Sequence, residues 1–453
     1  MAEQGPMSGF RDMLPEQMIP RNAMLGTIQE VYEGYGFTPI QTPVLERAVT
    51  MTGKYGEEGD KLMYRFQDNG GRDVAMRYDM TVPLARFVGQ HGSKLPTPFK
   101  RYVVGSVFRG ESPQAGRYRE FTQFDADIVG SSSPMADAEV VAMISDSMTK
   151  FGADSLIRVN NRRILDALVE TAGITDELTS RRFIGSIDKF DKIGLDAVLA
   201  EIGKNNGNTA AELVKNYLSI DGTTTERLDA MAALFGDSQA ADEGIGNLRQ
   251  VFAMLEGAGY DTEKVRFDPT IARGLDYYTG IIYETTLRGT EELGSVCSGG
   301  RYDNLVKALG GPDMAAVGMS IGVDRLYDAL QKLQLLHEAR TPTQVLVTNF
   351  EADQAPLYMS IAHQLREAGI PTEVFYESGR LKKQLAFANR QGIPQTVLIG
   401  RREREAGVAV VRSMMTGVQD EVPLEDIVAF IKETIANPPV AETTATEDYA
   451  AAA

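Results

Sequence analysis

The sequence predicts an α+β protein of several domains: a mostly antiparallel sheet with helices, interrupted by an all-helical block, then a small α/β domain. Three observations predict it. Residues 102–128 read as a strand–loop–strand hairpin whose second arm alternates polar and apolar side chains. Between about Arg163 and Glu263 helical patterns dominate, with strand signals on either side. From Thr341 the chain reads strand, helix, strand, helix, strand, the βαβ alternation of a small α/β unit. At 453 residues it is too long for one ordinary core, and two to three domains are expected.

Taken in order, residues 18–35 have helical periodicity and stop at Gly34 and Gly36. Residues 37–45 hold two prolines, which excludes a strand paired on both sides. A short strand at 74–78, a helix at 81–90 with Pro83 in its first turn, a helix at 136–151 and a strand at 156–159 follow. Helices are expected at 164–171, 195–202, 210–218, 228–235 and 245–255, and strands at 265–267, 281–286 and 318–321. An all-helical stretch between strand-bearing halves reads as an insertion into one domain. In the last domain, strands at 344–348, 372–376 and 395–399 alternate with helices at 354–367 and 381–390. A hairpin over 408–422, a helix at 424–435 and a disordered tail from 437 complete it.

Composition excludes several classes. Hydrophobic content of 43% and charged content of 24% are those of a soluble globular protein. No apolar run is long enough to span a bilayer, and the N-terminus lacks a signal-peptide core, so a cytoplasmic protein without membrane contact is expected. Cys297 is the only cysteine, and His91, His337 and His363 lie far apart, so no structural metal is expected. The net charge of −17 argues against nucleic-acid binding by overall attraction, yet basic residues outnumber acidic ones locally from Arg380 to Arg412. That stretch is either a solvated surface or a phosphate-binding one.

Four segments can carry chemistry. In residues 108–127, Phe121, Gln123, Asp125 and Asp127 share one strand face, while Arg109 and Glu111 share a face of the first arm. Such a face is solvated or holds a polar ligand; pattern alone favours solvation. Arg109 and the Arg117–Arg119 loop suit a reaction at a nucleotide phosphate, since a guanidinium holds two oxygens and stays charged. The string from Arg273 to Gly280 sets Tyr277 and Tyr278 after an Arg-Gly turn, either as pocket hydroxyls or as core aromatics. Residues 298–303 read as a Gly-rich turn before a helix at 304–309, whose backbone N–H groups can meet an anion. Residues 318–325 join a small-residue strand to a helix with Arg325 in its first turn, a cation disfavoured there unless an anion sits nearby.

Together these segments resemble the histidyl-tRNA synthetase family of class II aminoacyl-tRNA synthetases, from about Gly9 to Ile435. Residues 37–46 (FTPIQTPVLE) resemble motif 1, whose proline, here Pro43, lies in a dimer interface. Residues 108–127 resemble motif 2 and residues 318–326 motif 3. Residues 273–280 and 298–303 resemble signatures peculiar to the histidine enzymes, and the C-terminal domain resembles the anticodon-binding domain of class IIa.

The resemblance implies domains at 1–162 and 264–335 (catalytic), 163–263 (insertion), 341–436 (anticodon-binding) and 437–453 (tail). It implies that Arg109 grips the α-phosphate and the histidine carboxylate, with Arg273 stabilising charge at the same phosphate. Glu111 and Phe121 would hold adenine, and Arg117 and Arg325 the distal phosphates. Asp79, Thr81 and Gln123 would bind the α-amino group, and Asp127, Tyr277 and Tyr278 would face the imidazole. Gln114, in the loop 113–117, would meet the tRNA acceptor end. Asp79 and Asp127 follow the eukaryotic and archaeal pattern, being shorter than the Glu of many bacterial relatives, whereas the loop 113–117 looks bacterial. The partners implied are L-histidine, ATP with Mg2+ as its substrate complex, histidine tRNA and a second copy of the chain. A non-catalytic alternative is the synthetase-like regulatory subunit of ATP phosphoribosyltransferase. That protein typically lacks the anticodon domain and has eroded site motifs, whereas residues 341–435, Arg109, Arg273, Tyr277 and Tyr278 are all present here. A domain that only senses tRNA would also show erosion of the ATP arginines.

Overall fold

A computed structural model describes residues 5–114, 116–272 and 277–438. The chain divides into two units, one of Met1–Asp12 with Ala23–Leu336, the other of Met13–Asn22 with His337–Ala453.

The first unit is built on an eight-stranded sheet. Its order is Thr38–Pro39, Phe99–Phe108, Glu120–Val129, Ala316–Gly322, Cys297–Arg301, Ile281–Leu287, Ser155–Asn161 and Val265–Phe267. All pairings are antiparallel except at the two edges. Only Thr38 and Pro39 of the proline-bearing extended segment join the sheet, at an edge, as the missing N–H of Pro39 requires. The hairpin puts Phe99 opposite Val129 and Phe108 opposite Glu120. Phe124, Ala126 and Ile128 bury one face against Met24, Ile28 and Tyr32 of the helix Pro15–Gly34. Full burial of each large side chain contributes about 1.5–3 kcal/mol. The opposite face carries Gln123, Asp125 and Asp127, and they are buried too. The alternation by itself favours a solvated face; instead this polar face is buried and forms the wall and underside of a cleft.

Between Ser155–Asn161 and Val265–Phe267, which pair parallel in the same sheet, run six helices from Arg162 to Gly257. Phe183, Val198, Val214 and Tyr217 continue the main core into that block. One of these helices, Glu177–Ile187, carries no expectation from sequence because Gly, Ser and Arg dilute its apolar stripe. A second small sheet orders Leu45–Arg47, Asp73–Met76 and Arg65–Gln67.

Residues 298–303 differ most from expectation. They are not a turn: Cys297–Arg301 is a strand inside the sheet, its backbone paired on both sides, so its amides are not offered to an anion. The glycines answer to packing. A Cβ on Gly299 would lie 2.2 Å from the Gly318 carbonyl oxygen and 2.7 Å from the Tyr283 ring. On Gly300 it would meet the Tyr278 ring at 2.9 Å. Glycine lets two aromatic rings lie on the strand.

In the second unit the sheet order is Thr372–Val374, Val345–Val347, Gln395–Leu398, Val408–Ser413 and Gln419–Pro423. The first three strands are parallel and the last two antiparallel, as the βαβ pattern followed by a hairpin predicts. The expected tail lies outside the described residues from position 439 onward.

Candidate active site

The polar face of the hairpin opens onto a cleft of about 370 Å³, within the range of small-ligand sites. Its wall includes Asp79, Thr81, Arg109, Glu111, Arg117, Phe121, Gln123, Tyr277, Tyr278 and Arg325, which places ten expected site residues around one space. They come from segments nearly 250 residues apart, and the sheet order brings them together.

Arg109 follows the first hairpin strand. Its Nε donates to the Tyr78 carbonyl at 3.1 Å, and its guanidinium carbon lies 4.4 Å from the Tyr78 ring centre and 5.1 Å from that of Phe121. Stacking on two aromatic faces fixes the plane of the fork. Its terminal nitrogens have no partner among the described residues and face a space lined for a ligand. Across the loop, Arg117 pairs with Glu111 at 3.1 Å, a half-exposed contact that an anion readily replaces. Gln114 exchanges backbone hydrogen bonds with Arg117 at the loop tip, and its side chain is exposed and outside the cleft wall. Arg119 is structural, its Nε donating to the Glu111 carbonyl. Arg325, in the first turn of Val323–Lys332, donates to the Ser295 carbonyl at 2.6 Å.

Asp79 lies just before the helix Thr81–His91 and is fully buried. Its carboxylate accepts from the Tyr55 hydroxyl at 2.9 Å, the Val82 amide at 3.1 Å and the Tyr277 hydroxyl at 3.1 Å. Burial pushes its carboxyl up, against the opposing pull of these donors and of Arg109. Tyr277 and Tyr278 are half-buried with ring centres 5.1 Å apart, so they line the cleft instead of filling the core.

Gln123 donates to the Ser320 hydroxyl at 2.9 Å. Asp127, expected to face the imidazole, is not part of the cleft wall. It forms a buried ion pair with Arg101 at 2.6 Å and accepts a hydrogen bond from Tyr302. The residue in the wall at that end is Asp125, two positions earlier and on the same strand face. The parity of the strand placed Asp125 beside Gln123, which is the signal that would have found it. Tyr302, Ser320 and Glu284 also belong to this region without any expectation from sequence. Arg273 lies outside the described residues.

An antiparallel sheet flooring a nucleotide-sized cleft, an arginine held flat in a strand–loop–strand motif and a second arginine opening a helix define a class II aminoacyl-tRNA synthetase catalytic domain. A separate α/β domain accompanies it. The family model described as histidyl-tRNA synthetase matches residues 9–326, and that of an anticodon binding domain matches residues 344–434. A histidine–tRNA ligase of Rhodopirellula baltica is 42% identical over 425 residues, covering 93% of this chain and 96% of that protein. One of Wolinella succinogenes is 43% identical over 418 residues, covering 91% and 94%. The crystal structure of histidyl-tRNA synthetase from Nostoc sp. PCC 7120 superposes with a TM-score of 0.85 at 35% identity, covering 96% of this chain and 100% of that one. The chain belongs to the histidyl-tRNA synthetase family.

Proposed function

We propose that the protein is a histidine–tRNA ligase, activating L-histidine with ATP and transferring it to the 3′ end of histidine tRNA. The observation that carries this is Arg109, fixed between Tyr78 and Phe121 with its terminal N–H groups toward the cleft, in a chain whose relatives are such ligases. The histidine carboxylate attacks the α-phosphorus of ATP in line, and pyrophosphate leaves. Catalysis is then positioning plus charge neutralisation. Arg109 bridges the α-phosphate and the substrate carboxylate, with Arg273 assigned beside it by resemblance. Phe121 stacks on adenine and Glu111 accepts from it, so adenine competes for the Glu111–Arg117 pair and frees Arg117 for the distal phosphates with Arg325. Asp79, Thr81 and Gln123 take the α-amino group. Tyr277, Tyr278 and Asp127 belong to the imidazole end, and Gln114 is placed to meet the acceptor end. Magnesium enters with ATP as part of the substrate. The tRNA 3′-hydroxyl then attacks the adenylate carbonyl and displaces AMP.

We assign residues 1–162 and 264–335 to the catalytic domain, 163–263 to the insertion and 341–436 to anticodon binding. A dimer through residues 37–46 is supported by exposed apolar side chains in and beside it: Val44 at 39%, Leu45 at 47% and Val49 at 77%. A monomer in sedimentation at micromolar concentration would sink that assignment. No helix among the described residues is long and apolar enough to cross a membrane, and we place the reaction in the cytoplasm, where tRNA is charged. The regulatory-subunit reading is less supported, given the anticodon-binding match and the intact cleft.

The test is exchange of labelled pyrophosphate into ATP, supplied with each amino acid in turn. Exchange with histidine alone is expected. Its absence from folded protein with magnesium would overturn the ligase reading.

A further inference from the structure

We propose that Arg11 is a positioning residue for the triphosphate, fixing the spacing between Arg117 and Arg325, the two arginines assigned to the distal phosphates; this rests on the ligase reading above. Arg11 is not part of the cleft wall, yet its side chain touches two residues that are. Its guanidinium carbon lies 3.8 Å from the centre of the Tyr118 ring, and its Nη2 donates to Asp324 Oδ1. Tyr118 follows Arg117 in the hairpin loop, and Asp324 precedes Arg325 in the first turn of the helix Val323–Lys332. One side chain thus joins the immediate neighbours of both phosphate arginines, which arrive from distant segments.

Both ends of this brace are themselves held. Asp324 Oδ2 accepts from the Thr122 amide at 2.7 Å, so the carboxylate is fixed between Arg11 and the second hairpin strand. That bond extends the ladder in which Gln123 lies opposite Gly322, and a carboxylate suits the first turn of a helix. At the other end, a guanidinium over an aromatic ring gains stacking and cation–π attraction, which holds the Tyr118 ring in place. The N-terminal segment does not depend on Arg11 for its own position. The Gly9 carbonyl accepts from the Arg119 amide at 2.8 Å, the Ser8 carbonyl from the Arg119 side chain at 3.2 Å, and Phe10 meets Tyr64 edge-on. What Arg11 adds is a cross-brace between loop and helix. Arg117 is exposed, so its direction depends on the loop that carries it, and a misplacement of about 1 Å at a reacting phosphate is costly.

The experiment compares Arg11→Ala with wild type in pyrophosphate exchange and in calorimetric titration with magnesium ATP and with AMP. AMP carries adenine and the α-phosphate but no distal phosphates. The variant is expected to raise the KM for ATP and for pyrophosphate roughly tenfold each, and to weaken ATP binding by a similar factor. The KM for histidine and the Kd of AMP should each move less than about twofold. A merely structural role would shift all of these together, or none. Arg11→Lys keeps a charge for Asp324 but loses the planar fork, and should recover part of the loss. Unchanged ATP and pyrophosphate constants in Arg11→Ala, or an equal loss for AMP, would overturn the assignment while leaving the ligase reading intact. Titration needs no turnover, so it reads Arg11 even where wild-type protein shows no histidine-dependent exchange, the result that would overturn the ligase reading itself. Should the alanine variant fail to fold, Arg11→Gln, which keeps most of the length and removes the charge, carries the same expected and overturning results.

Discussion

The Tyr277 hydroxyl donates to Asp79 at 3.1 Å across 198 residues of sequence, tying the tyrosine pair to the start of the helix Thr81–His91. Tyr55 and the Val82 amide complete the set of donors around the same carboxylate. Asp79 is thus held in one orientation, with burial raising its carboxyl and the donors opposing that rise. Such an arrangement suits a carboxylate that must meet an ammonium group in a fixed place. Tyr277→Phe removes one of these donors, worth about 1.5 kcal/mol when the acceptor is charged. The expected result is a roughly tenfold lower kcat/KM for histidine in the exchange assay, with the KM for ATP little changed. An equal loss for both substrates would instead mean that the ring merely fills space.

Arg101 is fully buried and forms its ion pair with Asp127 at 2.6 Å. The pair sits under the cleft wall, where removing one partner strands the other charge. Arg101→Met should therefore destabilise the protein by about 3–5 kcal/mol, measured by urea unfolding. The double variant Arg101→Met with Asp127→Leu, which removes both charges, should recover most of that loss. A double variant no more stable than the single one would assign the effect to lost packing.

Gly318 faces the same carboxylate. A Cβ there would lie 1.9 Å from Asp127 Oδ1, and the Ala126 carbonyl oxygen would be 2.9 Å away. The strand must therefore carry glycine at this register, where it pairs with Asp127 across the ladder. Gly318→Ala should lower stability by roughly 1–3 kcal/mol and shift Asp127 off its partners. Calorimetry gives the first, and a crystal structure of the variant the second. An unchanged melting temperature would show that the two strands separate more easily than their packing indicates.

The sheet hairpin, the helical block and the α/β domain were legible because each rests on a local period: two along strands, 3.6 along helices. The polar strand face was visible as a face, but its burial was not. Whether Gln123 and Asp125 meet water depends on Tyr277, Tyr278 and Ser320, which arrive from distant segments. The glycines of residues 297–301 misled for a related reason. Gly299 and Gly300 read locally as turn formers, yet they serve the Tyr283 and Tyr278 rings, a contact no local pattern encodes. Asp125 and Asp127 share a parity, so the alternation placed both on the site face. It does not say which carboxylate a buried arginine takes, and Arg101 takes Asp127.

That division of labour gives a pH dependence. The Asp125 carboxyl is pushed up to about 7 in the folded protein, chiefly by burial, against an ordinary value near 3.8. A carboxyl raised on folding binds its proton more tightly in the native state than in the unfolded chain. The native state is therefore favoured by protonation, and Asp125 costs stability progressively as pH rises from about 4 to about 7, with the full cost present above that. Asp125→Asn keeps the shape and cannot ionise. It should be more stable than wild type at pH 8 by on the order of 1–4 kcal/mol, and the advantage should shrink to roughly a quarter of that near pH 4.5. Thermal unfolding of both proteins without ligand, at pH 4.5, 6, 7 and 8, reads the effect. The neighbouring ionisable groups, Arg101, Asp127 and Asp79, are present in both proteins, so the difference reads position 125 together with its coupling to them. A stability difference flat across that range would mean that the carboxyl ionises in its ordinary range despite its burial.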